Sequence, residues 1–524
     1  MDTKALRQKI LNLAIRGKLV PQDPNDEPAS VLIERIRAEK LQMVKDGKLK
    51  PKDIKNDTII FKGDDNLHYE KFSDGNVKCI EDEIPFDVPA GWEWARLNDL
   101  ALYKKGPFGS SITKAMFVPE SDEAIKVYEQ KNAINKNAHL GHYFISQEKY
   151  QELKGFEIFP GDIIVSCAGT IGETFVMPSD MRKGIINQAL MKIHLYDNSI
   201  KDFYLMYFDN KLKSLANEQG YGMALKNIPP FSVLKQYLIP IPPKAEQEKI
   251  LERIKIILSN INDIDLLKGK LQSNIANAES KILDLAIRGK LVPQDPNDEP
   301  ASVLLEHIRA EKEELIKQGK IKRDKKESVI FKGDDNSYYQ DLPENWQITS
   351  LREITTPLTL NDGDWILSQN MSTIGDVKLL QLGSIGNMVY IDKGFKYLTK
   401  DTFKELSCTE IFSGYLLINR IISDKMCCCI VPNIGGTIIT TVDTCWIAPS
   451  NASYDIKFLM YQLASSTFQK EVLLRASGTT RRRISKNNLI NIALLLPPLS
   501  EQKRIVEAIE KIFATLDDIA NQVE

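Results

Sequence analysis

The stretch LAIRGKLVPQDPNDEPASVLIERIRAEK at residues 13–40 returns at 285–312 as LAIRGKLVPQDPNDEPASVLLEHIRAEK, with only Ile33/Leu305 and Arg35/His307 differing. A repeat this close, 272 residues along the chain, implies two like halves. Each half follows one order. The repeated arm runs from Pro28-Ala29-Ser30 into a charged amphipathic helix that Gly47 ends, with Gly319 in the second copy. Proline at the start and glycine after the end suit a helix of about 19 residues. FKGDDN follows at 61–66 and 331–336, then Pro89-Ala90-Gly91-Trp92 and Pro343-Glu344-Asn345-Trp346. A divergent block of about 150 residues comes next in each half. It closes on Pro242-Pro243-Lys244-Ala245-Glu246-Gln247 or Pro497-Pro498-Leu499-Ser500-Glu501-Gln502.

After the first closing motif the apolar residues keep 4-3 spacing: Ile250, Ile254, Ile257, Ile261, Ile264, then Leu271, Ile275, Ala278, Ile282 and Leu285, with Lys268 intruding. Five heptads predict a long helix with a coiled-coil seam, about 54 Å at 1.5 Å per residue. The alternative is an amphipathic helix lying on one domain, which does not need so narrow a stripe for so long. The second copy keeps Ile505, Ile509, Ile512, Leu516, Ile519 and Val523, and Glu524 then corresponds to Gly269. Met1 corresponds to Ser273, and Leu6, Ile10 and Leu13 continue the seam as Ala278, Ile282 and Leu285 do. Only residues 270–272 lack an equivalent. The simplest reading is a circular arrangement in which the two ends together make a second long helix, antiparallel to the first about a pseudo-twofold axis. The segments are then 1–84 (N-terminal helix and arm), 85–243 (first block), 244–341 (central helix and second arm), 342–498 (second block) and 499–524 (C-terminal helix).

The blocks read as mixed α/β. Gly161-Asp162-Ile163-Ile164-Val165-Ser166 is a turn feeding a strand, Ala168-Gly169-Thr170-Ile171-Gly172 a tight turn, and Ser413-Gly414-Tyr415-Leu416-Leu417-Ile418-Asn419 the analogue of the strand. Another related pair is Gly222-Met223-Ala224-Leu225-Lys226-Asn227-Ile228 and Gly478-Thr479-Thr480-Arg481-Arg482-Arg483-Ile484. Shared scaffold with divergent surface is the pattern: like surfaces can hold two copies of one partner, and unlike ones can read two different things.

Hydrophobic content of 43% and charged content of 27% describe a globular chain of several domains. No apolar run reaches the ~18 residues of a membrane span, and MDTKALRQKILNL is amphipathic rather than signal-like, so a cytoplasmic protein without a membrane partner is expected. Cys427, Cys428 and Cys429 adjoin in a strand-like stretch whose neighbours face opposite sides, which favours buried reduced thiols over a metal site. The net charge of −2 counts mildly against nucleic acid, so local patches must supply any positive field.

No catalytic set emerges. The Gly169–Gly172 turn lacks the Gly-Lys-Ser/Thr of a phosphate loop. Asn227-Ile228-Pro229-Pro230-Phe231 resembles the Asn-Pro-Pro-Phe of amino-methyltransferases, but one extra residue spoils the spacing. The five histidines (His68, His139, His142, His194, His307) form no zinc pattern, and Asp362-Gly363-Asp364 reads first as a turn. A binding and assembly protein is expected. The Gly478–Asn488 segment, GTTRRRISKNN, carries four cations and no acid. Arginines pair with guanine edges, amides with adenine, and hydroxyls and lysines with phosphate. In the first block Lys104-Lys105-Gly106-Pro107-Phe108-Gly109-Ser110-Ser111 is a basic loop, followed by Lys114; Gln130-Lys131-Asn132 with Asn135-Lys136-Asn137 adds an amide-rich patch. An ordinary solvated surface is the alternative for any one of these residues; three patches in two blocks favour DNA.

Taken in order, these features resemble the specificity subunit of a type I restriction–modification system over nearly the whole chain. The resemblance rests on the duplicated halves, GPFGSS at 106–111, GDIIVSCAGTIG at 161–172, INQAL at 186–190, the Gly-x-x-x-x-x-Ile pair and Pro-Pro-x-x-Glu-Gln before each long helix. It implies two target recognition domains, each reading half of a split sequence in double-stranded DNA, held apart by antiparallel helices. It also implies a non-catalytic chain that binds two methyltransferase subunits carrying S-adenosylmethionine and recruits motor–nuclease subunits using ATP and Mg. The second block departs from the first: it lacks GPFGSS and has Asn361-Asp362-Gly363-Asp364-Trp365 and Arg420-Ile421-Ile422-Ser423 instead. The expected DNA contacts are Lys104, Ser110, Ser111, Lys114, Lys131 and Asn132 in the first domain, and Thr479, Thr480, Arg481, Arg482, Arg483 and Lys486 in the second. A duplicated protein-assembly scaffold that never touches DNA is the rival reading.

Overall fold

A computed structural model describes residues 2–167, 170–218, 229–324, 342–450, 452–479 and 481–523, and the side chains of 213–218 are not described. FKGDDN at 331–336, Ala168-Gly169, the 222–228 segment and Thr480 lie outside the described residues. The chain divides into two units, Met1–Asp265 and Leu266–Glu524, with the boundary inside one continuous helix, Lys244–Ala286. Its 43 residues make it about 65 Å long at 1.5 Å per residue.

In the first unit the N-terminal helix Thr3–Ile15 lies antiparallel to the start of this central helix. Arg7 reaches Asn262 and Asp265, both at 2.8 Å, while Ala14 packs in one cluster with Ile250 and Ile254. In the second unit the end of the central helix meets the C-terminal helix Leu499–Val523. There Leu283 and Ala286 pack with Ile505, Val506 and Ile509. Each unit therefore holds the same helix pair, assembled from different parts of the chain.

Along the 4-3 positions Ile250, Ile254 and Ile261 are buried, and Ile257, Ile264, Leu271, Ile275, Ala278 and Ile282 are half-buried. At its end the heptad reading needs correction. Leu285 is 36% exposed and Leu13 only half-buried, whereas Leu283, Ala286 and Ala14 are buried. The apolar stripe turns there because the helix end packs on the globular part as well as on its partner helix: Ala14 shares a cluster with Trp92 and Phe203, and Leu283 with Trp346.

The arm helices span Ala29–Lys45 and Ala301–Lys317, 17 residues each. Gly47 and Gly319, at φ 73° and 70°, end them by taking the left-handed conformation that a side chain disfavours. In the first unit FKGDDN ends the strand Thr58–Lys62 and, through Gly63-Asp64-Asp65-Asn66, turns into the antiparallel strand His68–Phe72, with Val77–Cys79 adding a third.

Each divergent block opens and closes by pairing its own first and last strands, Glu93–Arg96 with Leu238–Ile241, and Gln347–Ser350 with Ala493–Leu496. That pairing sets the two flanking motifs side by side and explains why both are repeated. Trp92 Nε1 donates to Glu246 Oε2 (2.8 Å) and Gln22 Nε2 to Glu246 Oε1 (3.1 Å). In the second unit Trp346 donates to Glu501 Oε2 (2.9 Å) and Gln294 to Glu501 Oε1 (2.6 Å). Gln247 and Gln502 donate to the carbonyls of Pro242 and Pro497. An ion pair flanks each clasp, Lys249–Asp26 at 3.2 Å and Arg504–Asp298 at 2.6 Å. Burial pushes the Glu246 and Glu501 carboxyls up, and the indole and amide donors oppose the shift. Gly17 and Gly289 fit under the clasp because a Cβ there would lie 2.4 Å from Pro89 Cγ or 2.5 Å from Pro343 Cγ.

Inside each block two sheets recur. The first block has an antiparallel sheet in the order Thr174–Val176, Ile163–Ser166, Leu190–Leu195, Ala101–Lys105. Its second sheet pairs Ile125–Tyr128 with Gly184–Ile186 in parallel. The second block repeats both, as Cys428–Ile430, Leu416–Asn419, Thr444–Ile447, Leu360–Asp362 and as Val377–Leu380 parallel to Thr437–Thr440. The strand reading of the cysteine run holds for Cys428 and Cys429, which are buried, while Cys427 precedes the strand and is half-buried; all seven cysteines are free. Burial pushes the thiol of Cys429 up to about 12, so it stays protonated at neutral pH.

Candidate nucleic-acid interface

In the first block Lys104 and Lys105 lie on the edge strand, opposite Lys192 and Met191. Three cations on two neighbouring strands repel one another, and the fold manages this by spreading them. Lys104 Nζ sits 4.8 Å from the centre of the Phe156 ring. Lys192 is buried, with Nζ on the Glu157 carbonyl, and desolvation holds its ammonium below the usual lysine range. Lys105 remains exposed. The strand then leaves through Gly106, whose N–H donates to the Leu190 carbonyl at 2.9 Å. The loop forms a one-turn helix at Gly109–Ser111 with Ser110 exposed and Ser111 half-exposed, and a second at Lys114–Met116 with Lys114 exposed. Lys104, Ser110, Ser111 and Lys114 thus fall on one strand and its following loop.

The amide-rich patch separates into two kinds of residue. Asn132 is 0% exposed: its Oδ1 accepts from the Glu129 N–H, and its Nδ2 donates to the carbonyls of Asn137 and Leu140. Its polar atoms are consumed in holding the turn, so Asn132 is a structural residue and the expectation that it touches DNA is corrected. Lys131 stays half-exposed, paired with Glu129 at 2.8 Å and 5.6 Å from the Tyr143 ring centre. Lys136 bridges to Glu173 at 2.7 Å. His139 has Asp180 at 3.1 Å, a carboxylate 41 residues away that sequence spacing does not reveal.

In the second block two segments that look unrelated in sequence are joined. Ile421–Ile422 pairs antiparallel with Arg482–Arg483, so the strand that replaces the Ala-Gly-Thr-Ile-Gly turn docks the arginine run. Arg481, Arg482 and Thr479 are exposed, whereas Arg483 is tied to Asp443 at 2.9 Å. Lys486 donates to Asn361 Oδ1 at 2.7 Å and lies 3.9 Å from Asp362. Asp362 is not a turn residue: it ends the edge strand, its Oδ1 3.1 Å from the buried Arg420 guanidinium, and burial pushes its carboxyl up against the pull of that cation. Asp364 accepts from the Thr409 N–H at 2.9 Å. Arg481 and Arg483 line a cleft of about 850 Å³ together with Asp364, Trp365, Asp443 and Gln381.

The register makes the two edge strands equivalent. Lys105 faces Met191 and Asp362 faces Cys445, while Lys104 faces Lys192 and Asn361 faces Trp446. In the second domain the cations therefore come from the docked arginine run rather than the edge strand. Sequence reasoning passed over Phe108 and Trp365, 87% and 70% exposed. The available signal was an aromatic two residues after glycine in GPFGSS and in NDGDW.

Among the described residues no group of three or more His, Cys, Asp or Glu is placed to hold a metal ion. Among them, too, no helix is long and apolar enough to cross a membrane.

The family model for the type I restriction modification DNA specificity domain matches residues 89–273 and again 343–524. The EcoEI type I restriction enzyme specificity subunit of Escherichia coli is 26% identical, over 99% of this chain and 91% of its own length. The EcoAI specificity subunit, also from Escherichia coli, is 28% identical over 98% of this chain and 90% of its own. A solved structure from work on complex assembly and conformational transition of the type I R-M system matches at TM-score 0.51 and 15% identity, covering 84% of this chain and 94% of that one. With one family match in each half, the chain belongs to the type I restriction modification DNA specificity family.

Proposed function

We propose that this chain is the DNA-reading and assembling subunit of a type I restriction–modification complex. Each of its two blocks serves as a target recognition domain for one half of a split site in double-stranded DNA. The observation that carries this reading is the contrast between the halves. The Trp–Glu–Gln contacts of the clasp recur atom for atom and the arm and helix pair recur in outline, while the loops on the equivalent edge strands carry different polar and cationic side chains. A repeated frame suits two copies of one methyltransferase partner, and unlike loops suit two different half-sites. Binding of motor–nuclease subunits completes the proposal. S-adenosylmethionine, ATP and Mg belong to the partner subunits, and the complex acts in the cytoplasm.

The finer architecture is part of this proposal. The matching helix pairs support a coiled-coil spacer and a circular arrangement in which the N-terminal helix and C-terminal helix stand in for a second copy of the central helix. At ~3.4 Å per base pair, helices tens of ångströms long suit half-sites about one turn apart. The domain boundaries 85–243 and 342–498 go with the same reading.

The test is a base-modification map of genomic DNA from a host lacking adenine methylation that expresses this chain with its methyltransferase. The expected result is methyladenine at a two-part motif with a fixed gap, lost when this chain is omitted. An unmodified genome despite an assembled, active complex would favour the scaffold that does not touch DNA.

A further inference from the structure

Two loops that share almost no sequence each carry an exposed aromatic ring two residues beyond an equivalent glycine. The edge strands are in register through Lys105 and Asp362, so Gly106 is equivalent to Gly363, and Phe108 and Trp365 each stand two residues further on. The glycines are pinned alike: Gly106 N–H donates to Leu190 O at 2.9 Å and Gly363 N–H to Thr444 O at 2.8 Å. A Cβ on Gly106 would lie 1.8 Å from Asn187 O, and one on Gly363 would lie 2.4 Å from Thr441 O. Neither position can carry a side chain, so each loop leaves its sheet along a fixed path. A short helical turn follows in both, at Gly109–Ser111 and Ser368–Asn370. The ring two residues beyond each glycine is held out in solvent.

That exposure is unusual for this chain. Of its five tryptophans, Trp92, Trp94, Trp346 and Trp446 are 2–5% exposed, against 70% for Trp365. A large ring kept in water has burial free energy still to gain, which a ring on an anchored loop can realise against a partner. Cations accompany both rings: Lys105 and Lys114 bracket Phe108 in the sequence and are exposed, and Arg481 and Arg483 line the same cleft as Trp365. The carboxylates of that cleft are already engaged, Asp443 by Arg483 and Asp364 by the Thr409 N–H.

We infer that Phe108 and Trp365 are paired stacking contacts, one per recognition domain, each wedging against a base step of its own half-site in the DNA duplex. The inference rests on the DNA-reading function proposed above. The halves themselves argue for DNA over a protein partner. The surfaces suited to two copies of one partner are closely repeated, as in residues 13–40 and 285–312, whereas here ring type and neighbours differ. A flat ring amid cations meets a base face while the cations hold phosphate, and this mode tolerates Phe in one site and Trp in the other.

The test uses the assembled complex with its methyltransferase and a duplex carrying the mapped target, with 2-aminopurine placed in turn at the adenines of each half-site. Phe108→Ala and Trp365→Ala should each weaken specific binding about 10- to 100-fold, the span of one lost base–aromatic stack, and leave binding to unrelated duplex nearly unchanged. Each should abolish the 2-aminopurine fluorescence rise in one half-site only, the first variant in one half and the second in the other. Trp365→Phe should retain both binding and signal. DNA-induced quenching of tryptophan emission should be present in the parent complex and absent in Trp365→Phe. Unchanged affinity and 2-aminopurine signal in both alanine variants overturns the inference. So does a loss of methyltransferase assembly at unchanged DNA affinity, which would make the rings protein contacts. Failure of the underlying function looks different: the parent complex itself would show no sequence-dependent binding.

Discussion

Truncating the carboxylate at the centre of a clasp should destabilise one half of the chain and spare the other. Glu501 is 1% exposed and accepts two hydrogen bonds, 2.9 Å from the Trp346 indole and 2.6 Å from the Gln294 amide. Hydrogen bonds to a charged acceptor contribute about 1.5–3 kcal/mol each, and a buried donor left without a partner costs about 1–3 kcal/mol. Against this stands the desolvation that already pushes the Glu501 carboxyl up, so removing the charge recovers part of the loss. The balance for Glu501→Ala is a destabilisation of about 2–4 kcal/mol. In a domain of roughly this size each kcal/mol moves the midpoint by about 2–4 °C. Calorimetry should show the transition of the second unit lowered by about 4–16 °C and that of the first unit in place. Glu246→Ala should produce the mirror result, since the two clasps share no partner and their effects should add. Glu501→Gln keeps one carbonyl acceptor and should lose about half as much. A change below about 0.5 kcal/mol in Glu501→Ala, the level of an inert surface substitution, would refute the view that the repeated Trp and Glu exist to hold the domain to the helix.

The remaining predictions follow from the same geometry. Arg481→Ala should lower the slope of log affinity against log salt by about one if the exposed guanidinium meets phosphate, or relax one base position if it meets an edge; affinity measured from low to high salt on matched and mismatched duplexes checks this. Gly106→Ala and Gly363→Ala force a methyl onto a backbone carbonyl and should each destabilise their own domain by at least about 1–3 kcal/mol, read from urea midpoints. Asp99 is buried and its carboxyl is pushed up to about 6 from an ordinary 3.8, so the folded chain holds a proton that the unfolded chain has released. The first unit should therefore lose stability as pH rises from about 4 to 6 and level off above, and Asp99→Asn should flatten that slope in pH-dependent denaturation. A circular permutant joining residues 524 and 1 by a short linker and reopened near 270 should fold and bind its methyltransferase, with failure in a pull-down counting against the circular arrangement.

The frame was legible because it is duplicated and obeys short-range rules. Residues 13–40 and 285–312, the heptads and the flanking Pro-x-x-Trp and Pro-Pro-x-x-Glu-Gln motifs marked the arms, helices and edges of the blocks before any contact was known. The reason Trp and Glu recur together was not legible, because Trp92 and Glu246 lie 154 residues apart and meet through the pairing of Glu93–Arg96 with Leu238–Ile241. The site was legible as composition and not as placement. Lys104, Ser110, Ser111 and Lys114 share a strand and loop, so local sequence located them together. Asn132 misled because an amide in a polar stretch serves a turn as readily as a base. Matching Phe108 with Trp365 needed strand register, since one residue's difference in alignment would have matched Phe108 to a neighbour instead.

The near-zero net charge of −2 also acquires a physical reading from these pairings. Several cations at the second interface are already engaged, Arg483 by Asp443, Arg420 by Asp362, and Lys486 by Asn361. A cation held by a carboxylate in the free protein gains less from a phosphate, because the first pair must be broken or shared. Non-specific affinity, which comes almost wholly from phosphate neutralisation, is thereby kept low. A base edge or a stacked ring offers what a phosphate cannot, so the difference between matched and unmatched DNA survives while the common electrostatic term shrinks. Asp443→Asn tests this: releasing Arg483 should tighten binding to unrelated duplex more than to the target, steepen the salt dependence and reduce the specificity ratio. If target and unrelated duplex gain equally, the carboxylate serves the fold of the arginine loop and not the discrimination.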